Sequence, residues 1–237
     1  MIKSKNYILF LNKFIKKNYK FKTFTDNLSK INNVILRHDI DFDIDYALEI
    51  AKIEYSLGVK SNFFFLLTGN FYNITNNQNI NKIKNIKKLG HQVGIHFDPS
   101  NYNDKGLIQA LKNEKKIFEK ILNIKVKVIS IHRPHKKFLN NDKKIANLYH
   151  TYQLRFVSKN IEYYADSRNK FRYGNPINSE AFNNKKNLQI LIHPIWWMNQ
   201  FNDPTEKKIK YFIYKKKSDL IDDLNTQLFN TNLNFKT

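Results

Sequence analysis

Residues Val34–Asp45 read VILRHDIDFDID. A short apolar run stops abruptly at Arg37, His38, Asp39 and Asp41. A buried strand that delivers charge to the mouth of an α/β domain has this form, because charge is costly to bury unless it is paired or bound to a metal. The pattern recurs at Gln92–Asp98 (QVGIHFD), at Val126–Pro134 (VKVISIHRP) and at Leu188–Pro194 (LQILIHP). Four apolar runs that each end in His, Asp or Arg point to one polar site assembled from several strand ends. Metal-dependent or acid–base catalysis is the chemistry such a site suits.

Between these runs the periodicity changes to that of helices. Helices are expected at 7–19, 43–57 (stopped by Gly58), 80–89 (stopped by Gly90), 104–122, 140–149 and 206–225. Strands are expected at 34–38, 59–67, 92–97, 126–132 and 188–193, with short ones at 154–157 and 163–165. Residues 22–33 form a polar connection. Alternating strand and helix implies a mostly parallel sheet or barrel, whose ligand sites lie at the carboxyl ends of the strands. The 237 residues carry no linker-like stretch and no internal repeat, so a single domain over 1–237 is expected. Its motif-bearing core spans about 34–197, flanked by helical segments at 1–20 and 204–228.

The chain has no cysteine, which excludes disulfides and thiolate ligands and leaves His, carboxylate and water to hold any metal. The formal net charge is +21. Lysine is spread along the whole chain rather than clustered, and arginine is scarce, so no nucleic-acid footprint is expected. No apolar run approaches the roughly 18 residues of a membrane span. The N-terminal apolar stretch Tyr7–Phe10 is too short for a signal core, so a cytoplasmic protein is expected. Ile8, Leu11, Phe14 and Ile15 share helical spacing, which leaves an interfacial amphipathic helix as an alternative.

Residues two apart in a strand point the same way, so Asp39 and Asp41 can face one site. One carboxylate can bind a divalent cation while its neighbour activates a water. His91 and His96 are five apart and face opposite ways. His96, at the strand's end, is the better ligand. Asp98 can orient it, join a metal shell or cap the next loop. His132 can complete a metal shell, and Arg133 can hold a catalytic carboxylate ionised. His193, before a rigid Pro194, suits a general acid. Asp166 can orient it. Trp196 and Trp197 form an apolar wall or sugar-stacking platform, or belong to the core.

These motifs in this order resemble the polysaccharide deacetylase (NodB-homology, carbohydrate esterase family 4) superfamily, in a branch associated with surface-polysaccharide biosynthesis. The resemblance implies a distorted (β/α) barrel of about seven strands. It implies Asp39 as catalytic base, Asp41 and His96 as metal ligands, Arg133 as the group that positions the base, and His193 as the acid. The family's second metal histidine should stand four residues after His96, where this chain has Ser100. His132 is the substitute, with Asp98 the other candidate. The reaction implied is hydrolysis of an N-acyl group, most simply N-acetyl, from a sugar. It would use a divalent metal such as Zn²⁺, with Trp196, Trp197 and Asp98 on the carbohydrate. The partner implied is an amino sugar, free or linked to nucleotide or lipid. The second reading is a non-catalytic carbohydrate-binding relative.

Overall fold

A computed structural model describes residues 5–139, 142–158, 160–198 and 203–228. Strands β1 (Lys20–Lys22), β2 (Asn33–Ile40), β3 (Asn62–Phe65), β4 (Gln92–Phe97), β5 (Val128–Ile131), β6 (Tyr149–His150), β7 (Ile161–Ala165) and β8 (Asn187–Ile192) form one parallel sheet. Its order is β6-β5-β4-β3-β2-β8-β7, a curled path of seven strands. Strand β1 pairs with the first residues of β2, and β3 pairs with its last four. The architecture is the expected distorted (β/α) barrel, left open between β6 and β7.

The helices are α1 (Lys5–Lys16), α2 (Ile44–Ser56), α3 (Asn77–Lys88), α4 (Leu107–Leu122), α5 (Glu180–Asn183), α6 (Pro194–Met198) and α7 (Thr205–Gln227). Their ends follow local chemistry. The Asp43 carboxylate caps α2 by accepting from the Asp45 and Tyr46 amides. Gly58 and Gly90, both with left-handed φ, close α2 and α3 and turn the chain back toward β3 and β4. The apolar face of α1 (Tyr7, Phe10, Leu11, Phe14) is buried in the protein's own core, which replaces the interfacial-helix alternative.

Strand parity divides the core in two. Val34, Leu36 and Ile40, with Phe63, Phe65, Ile95, Phe97, Ile129 and Ile190, face the helices. The opposite face lines the barrel. There Phe24, Ile35, Phe64, Val128 and Phe156 pack into a separate apolar floor. Above it the inward positions turn polar: Arg37, Gln189, Ser130, Asp39 and His96, all buried. Gly94 lies on this inward face. A Cβ there would run into the Val128 carbonyl and stand 2.8 Å from the Phe64 ring, so only glycine lets β4 approach β5 this closely.

Two expectations fail. The described part of the 140–149 segment (residues 140 and 141 lie outside the described residues) is a turn, with an Ile145↔Leu148 bridge running into β6. Ala146 and Asn147 both take left-handed φ, which no helix tolerates. Residues 154–157 form turns rather than a strand, with the Phe156 amide donating to the Gln153 carbonyl. That segment fills the open side of the barrel, held by Gln189, whose amide donates to the Thr151 and Phe156 carbonyls.

Candidate metal and acid–base site

The alternation of β2 places Arg37 and Asp39 side by side at the barrel axis. Arg37 donates to Asp39 through Nε (2.9 Å) and Nη2 (2.6 Å), and through Nη2 to Ser130 Oγ (2.6 Å) on β5. Ser130 Oγ in turn donates to Asp39 Oδ2 at 3.0 Å. Burial works against a charged Asp39, but the Arg37 guanidinium outweighs it and holds the carboxyl below its usual range.

One step nearer the mouth, three donors converge. His96 Nε2 lies 3.1 Å from His132 Nδ1 and 3.2 Å from Asp41 Oδ1, and the latter two are 3.5 Å apart. Donors sharing a four-coordinate ion at about 2.0–2.1 Å sit about 3.3 Å from one another. The three distances fit that spacing. The pair of facing imidazole nitrogens also fits, since two lone pairs this close need a shared cation or a proton. Burial disfavours the charged form of Asp41, yet His132 and His96 hold its carboxyl far below the usual range. Burial likewise opposes charge on His132, and Asp41 raises it nonetheless.

Across Asp41 stands His193, its Nε2 3.7 Å from Asp41 Oδ2. Its Nδ1 is 2.6 Å from Asp166 Oδ1, and its backbone amide donates to both Asp166 oxygens. Burial lowers the His193 pKa, but Asp166 more than offsets this and pushes it up to about 9. Asp166 is fixed in turn by Trp197, whose indole Nε1 donates to Oδ2 at 2.7 Å.

Two lobes open on either side of Asp41 and Phe42. The larger, about 610 Å³, reaches from His193 and Trp196 to Arg168 and Lys170. The smaller, about 220 Å³, reaches from His132 to Thr68, Asn70 and Asn101.

No family model matches this chain, and no curated protein matches it. Solved structures do. The chain is similar to several of them at low identity. It is similar to peptidoglycan deacetylase PdaC from Bacillus subtilis at 14% identity, over 82% of this chain and 96% of that one, with a TM-score of 0.48. It is similar to a family 4 carbohydrate esterase from Bacillus anthracis at 13% identity, over 89% and 86%, with a TM-score of 0.45. It is similar to the chitin deacetylase of the fungal pathogen Colletotrichum lindemuthianum at 19% identity, over 77% and 81%, with a TM-score of 0.43.

In this barrel, Asp39, Asp41, His96, His132, Asp166 and His193 come together at the carboxyl ends of β2, β4, β5, β7 and β8. Other expected residues are placed differently. Arg133 does not touch Asp39; it is exposed, and Nη1 reaches Ser100 Oγ at 3.3 Å. Arg37 makes that contact instead, because only residues of the same strand parity share the interior. Trp197 is no platform: it is buried against Tyr7, Phe10 and Phe171 and serves as the hydrogen-bond donor to Asp166. Trp196 packs on Phe42 and lines the larger lobe. Asp98 caps the next turn, accepting from the Ser100 amide and hydroxyl, and its Oδ2 stays 3.9 Å from His132 Nε2. His38 and His91 point away from the site into a buried network on the helix side. There Glu54 accepts from Tyr7 and Ser61 and contacts His38 at 2.7 Å, while His91 bonds Ser61 Oγ and the Ala51 carbonyl. Arg37 and Ser130 take roles that no motif in the sequence assigns; the i, i+2 spacing of Arg37 and Asp39 is the signal that marks the first.

Proposed function

We propose that this protein is a metal-dependent hydrolase that removes an N-acyl group, most simply N-acetyl, from an amino sugar of a surface polysaccharide or glycoconjugate. The observation that carries the reading is the convergence of Asp41, His96 and His132 between the Arg37-held Asp39 and the Asp166-held His193. The order of the motifs along the chain supports it independently.

Asp41, His96 and His132 would hold a divalent ion. Two imidazoles and one carboxylate are the donor set of a catalytic zinc site. When bound, such an ion supplies Lewis acidity to the acyl oxygen and eases ionisation of a nearby water. The chain's own residues do the rest. Asp39, kept ionised by Arg37 and Ser130, takes a proton from the water that attacks the acyl carbon. The carbon–nitrogen bond then breaks, and His193 delivers the proton from Nε2 to the departing amine. Asp166 fixes the imidazole tautomer by holding Nδ1, as an orienting carboxylate does for a general acid.

The test is metal content and acetate release by the purified protein on N-acetylated sugars. The wild type should hold about one ion per chain. Asp39→Asn should keep the ion and lose turnover by about 10²–10⁴-fold. A protein that holds no divalent ion, or an Asp39→Asn variant with unchanged turnover, rules the reading out. An ion-bound chain that binds sugars without releasing acetate would be the non-catalytic relative.

A further inference from the structure

The two lobes beside Asp41 differ in charge. The smaller carries Asp98 and Arg133 besides Asp41, which both lobes share, and His132, and is otherwise lined by uncharged groups such as Thr68, Asn70 and Asn101. The larger carries Arg168 and Lys170, and its one carboxylate is Asp41, which is already engaged by three imidazoles. Among the described residues neither Arg168 nor Lys170 has a carboxylate partner, whereas other lysines such as Lys207 and Lys215 are paired. The same lobe offers the Ser167 and Thr205 side chains beside an apolar wall of Phe42 and Trp196.

We propose that the substrate's sugar half carries an anionic group, a phosphate or a carboxylate, held by Arg168 and Lys170 in the larger lobe. The orientation rests on the deacetylase reading. His193 protonates the departing amine, and the amine stays on the sugar. The sugar therefore lies on the His193 side, which is the lobe with the two free cations. An acyl group carrying the charge would instead point toward His132 and meet the lobe where Asp98 and Asp41 stand against Arg133 alone. Specificity here is a matter of the leaving half rather than the group removed.

The test is calorimetric titration of the whole protein at about 0.15 M salt, where long-range attraction to the net charge is screened. The probes are N-acetylglucosamine, N-acetylglucosamine 1-phosphate, N-acetylmuramic acid and inorganic phosphate. At least one charged sugar should bind about tenfold more tightly than the neutral one, as expected for a charged hydrogen bond gained. The preferred probe tells phosphate from carboxylate. The Arg168→Gln/Lys170→Gln double variant should lose the preference. The Arg168→Lys/Lys170→Arg double variant and the distant surface variant Lys120→Gln should keep it. Equal affinity for all three sugars, no sugar binding, or a preference that survives Arg168→Gln/Lys170→Gln overturns the proposal. Acetate release is measured on the same samples. Turnover without charge preference removes this inference alone; charge preference without turnover removes the deacetylase reading and leaves the anion subsite standing.

Discussion

Replacing Arg37 by methionine tests the placement of charge at the barrel axis. Arg37 is fully buried and Asp39 nearly so. Methionine keeps much of the apolar stem but removes two hydrogen bonds to Asp39 and one to Ser130. Removing one partner of a buried ion pair costs about 3–5 kcal/mol, because the remaining charge has nothing to offset its burial. Arg133→Met, which removes one long contact to Ser100 from an exposed side chain, should change stability by about 0.5 kcal/mol at most. Adding Asp39→Asn to Arg37→Met should recover about 2 kcal/mol or more. The pH dependence has a definite sign. In the wild type the folded Asp39 carboxyl titrates below its unfolded value, so its stabilisation is present above about pH 4 and fades as pH falls. Without Arg37, burial is opposed only by the weaker pull of His96 and His193, so the carboxyl rises and less stabilisation is gained as pH climbs past about 4. The deficit of Arg37→Met therefore narrows in acid. Urea unfolding at pH 4 and pH 7 measures each step. A deficit below about 1 kcal/mol at pH 7, or an equal deficit in Arg133→Met, would refute the assignment of Arg37 as the counter-ion.

Other perturbations have equally definite outcomes. Glu114 on α4 is buried, and although Tyr102 donates to it, burial pushes its carboxyl up to about 7. The wild type should thus lose stability as pH rises from about 4.5 to 7, and Glu114→Gln should remove that loss and be about 1–3 kcal/mol more stable at pH 8 by chemical denaturation. Gly94→Ala should cost about 2 kcal/mol or more and lower the urea midpoint, since its Cβ meets the Val128 backbone carbonyl as well as the buried Phe64 ring. A general acid works only while protonated, so kcat/KM should show an alkaline limb set by His193, whose pKa Asp166 raises against the effect of burial. Asp166→Asn should move that limb to lower pH, and a limb that stays in place would exclude the Asp166–His193 coupling.

Strand ends were the readable part of this chain. The runs before Asp39, His96, His132 and His193 are apolar on both faces, as strands of a parallel sheet buried on each side must be, and their polar termini stand out. Gly58 and Gly90 marked helix ends for the same reason that they close them here, left-handed φ at no steric cost. What escaped was anything set by parity across strands or by contact between distant segments. Arg133 adjoined the right motif but faces solvent, and Arg37 sat inside the first motif without a role. Trp197 read as a possible platform because an exposed and a buried indole look alike in sequence; its hydrogen bond to Asp166 spans 31 residues. The three-residue β1 and two-residue β6 were too short to show any period. Between residues 142 and 149 the composition favoured helix, and the two left-handed residues that prevent it are an Ala and an Asn, neither of which announces that geometry.

The ring of Phe24, Ile35, Phe64, Val128 and Phe156 makes the barrel a cul-de-sac. On the proposed reaction, water entering and the small acid leaving would both pass the strand-end mouth where the sugar would sit. A sugar seated in the larger lobe would cover the acid held beside Asp41, so the amine should depart first and the acid last. Added acetate would then hold back the vacant chain, competing with fresh substrate for entry.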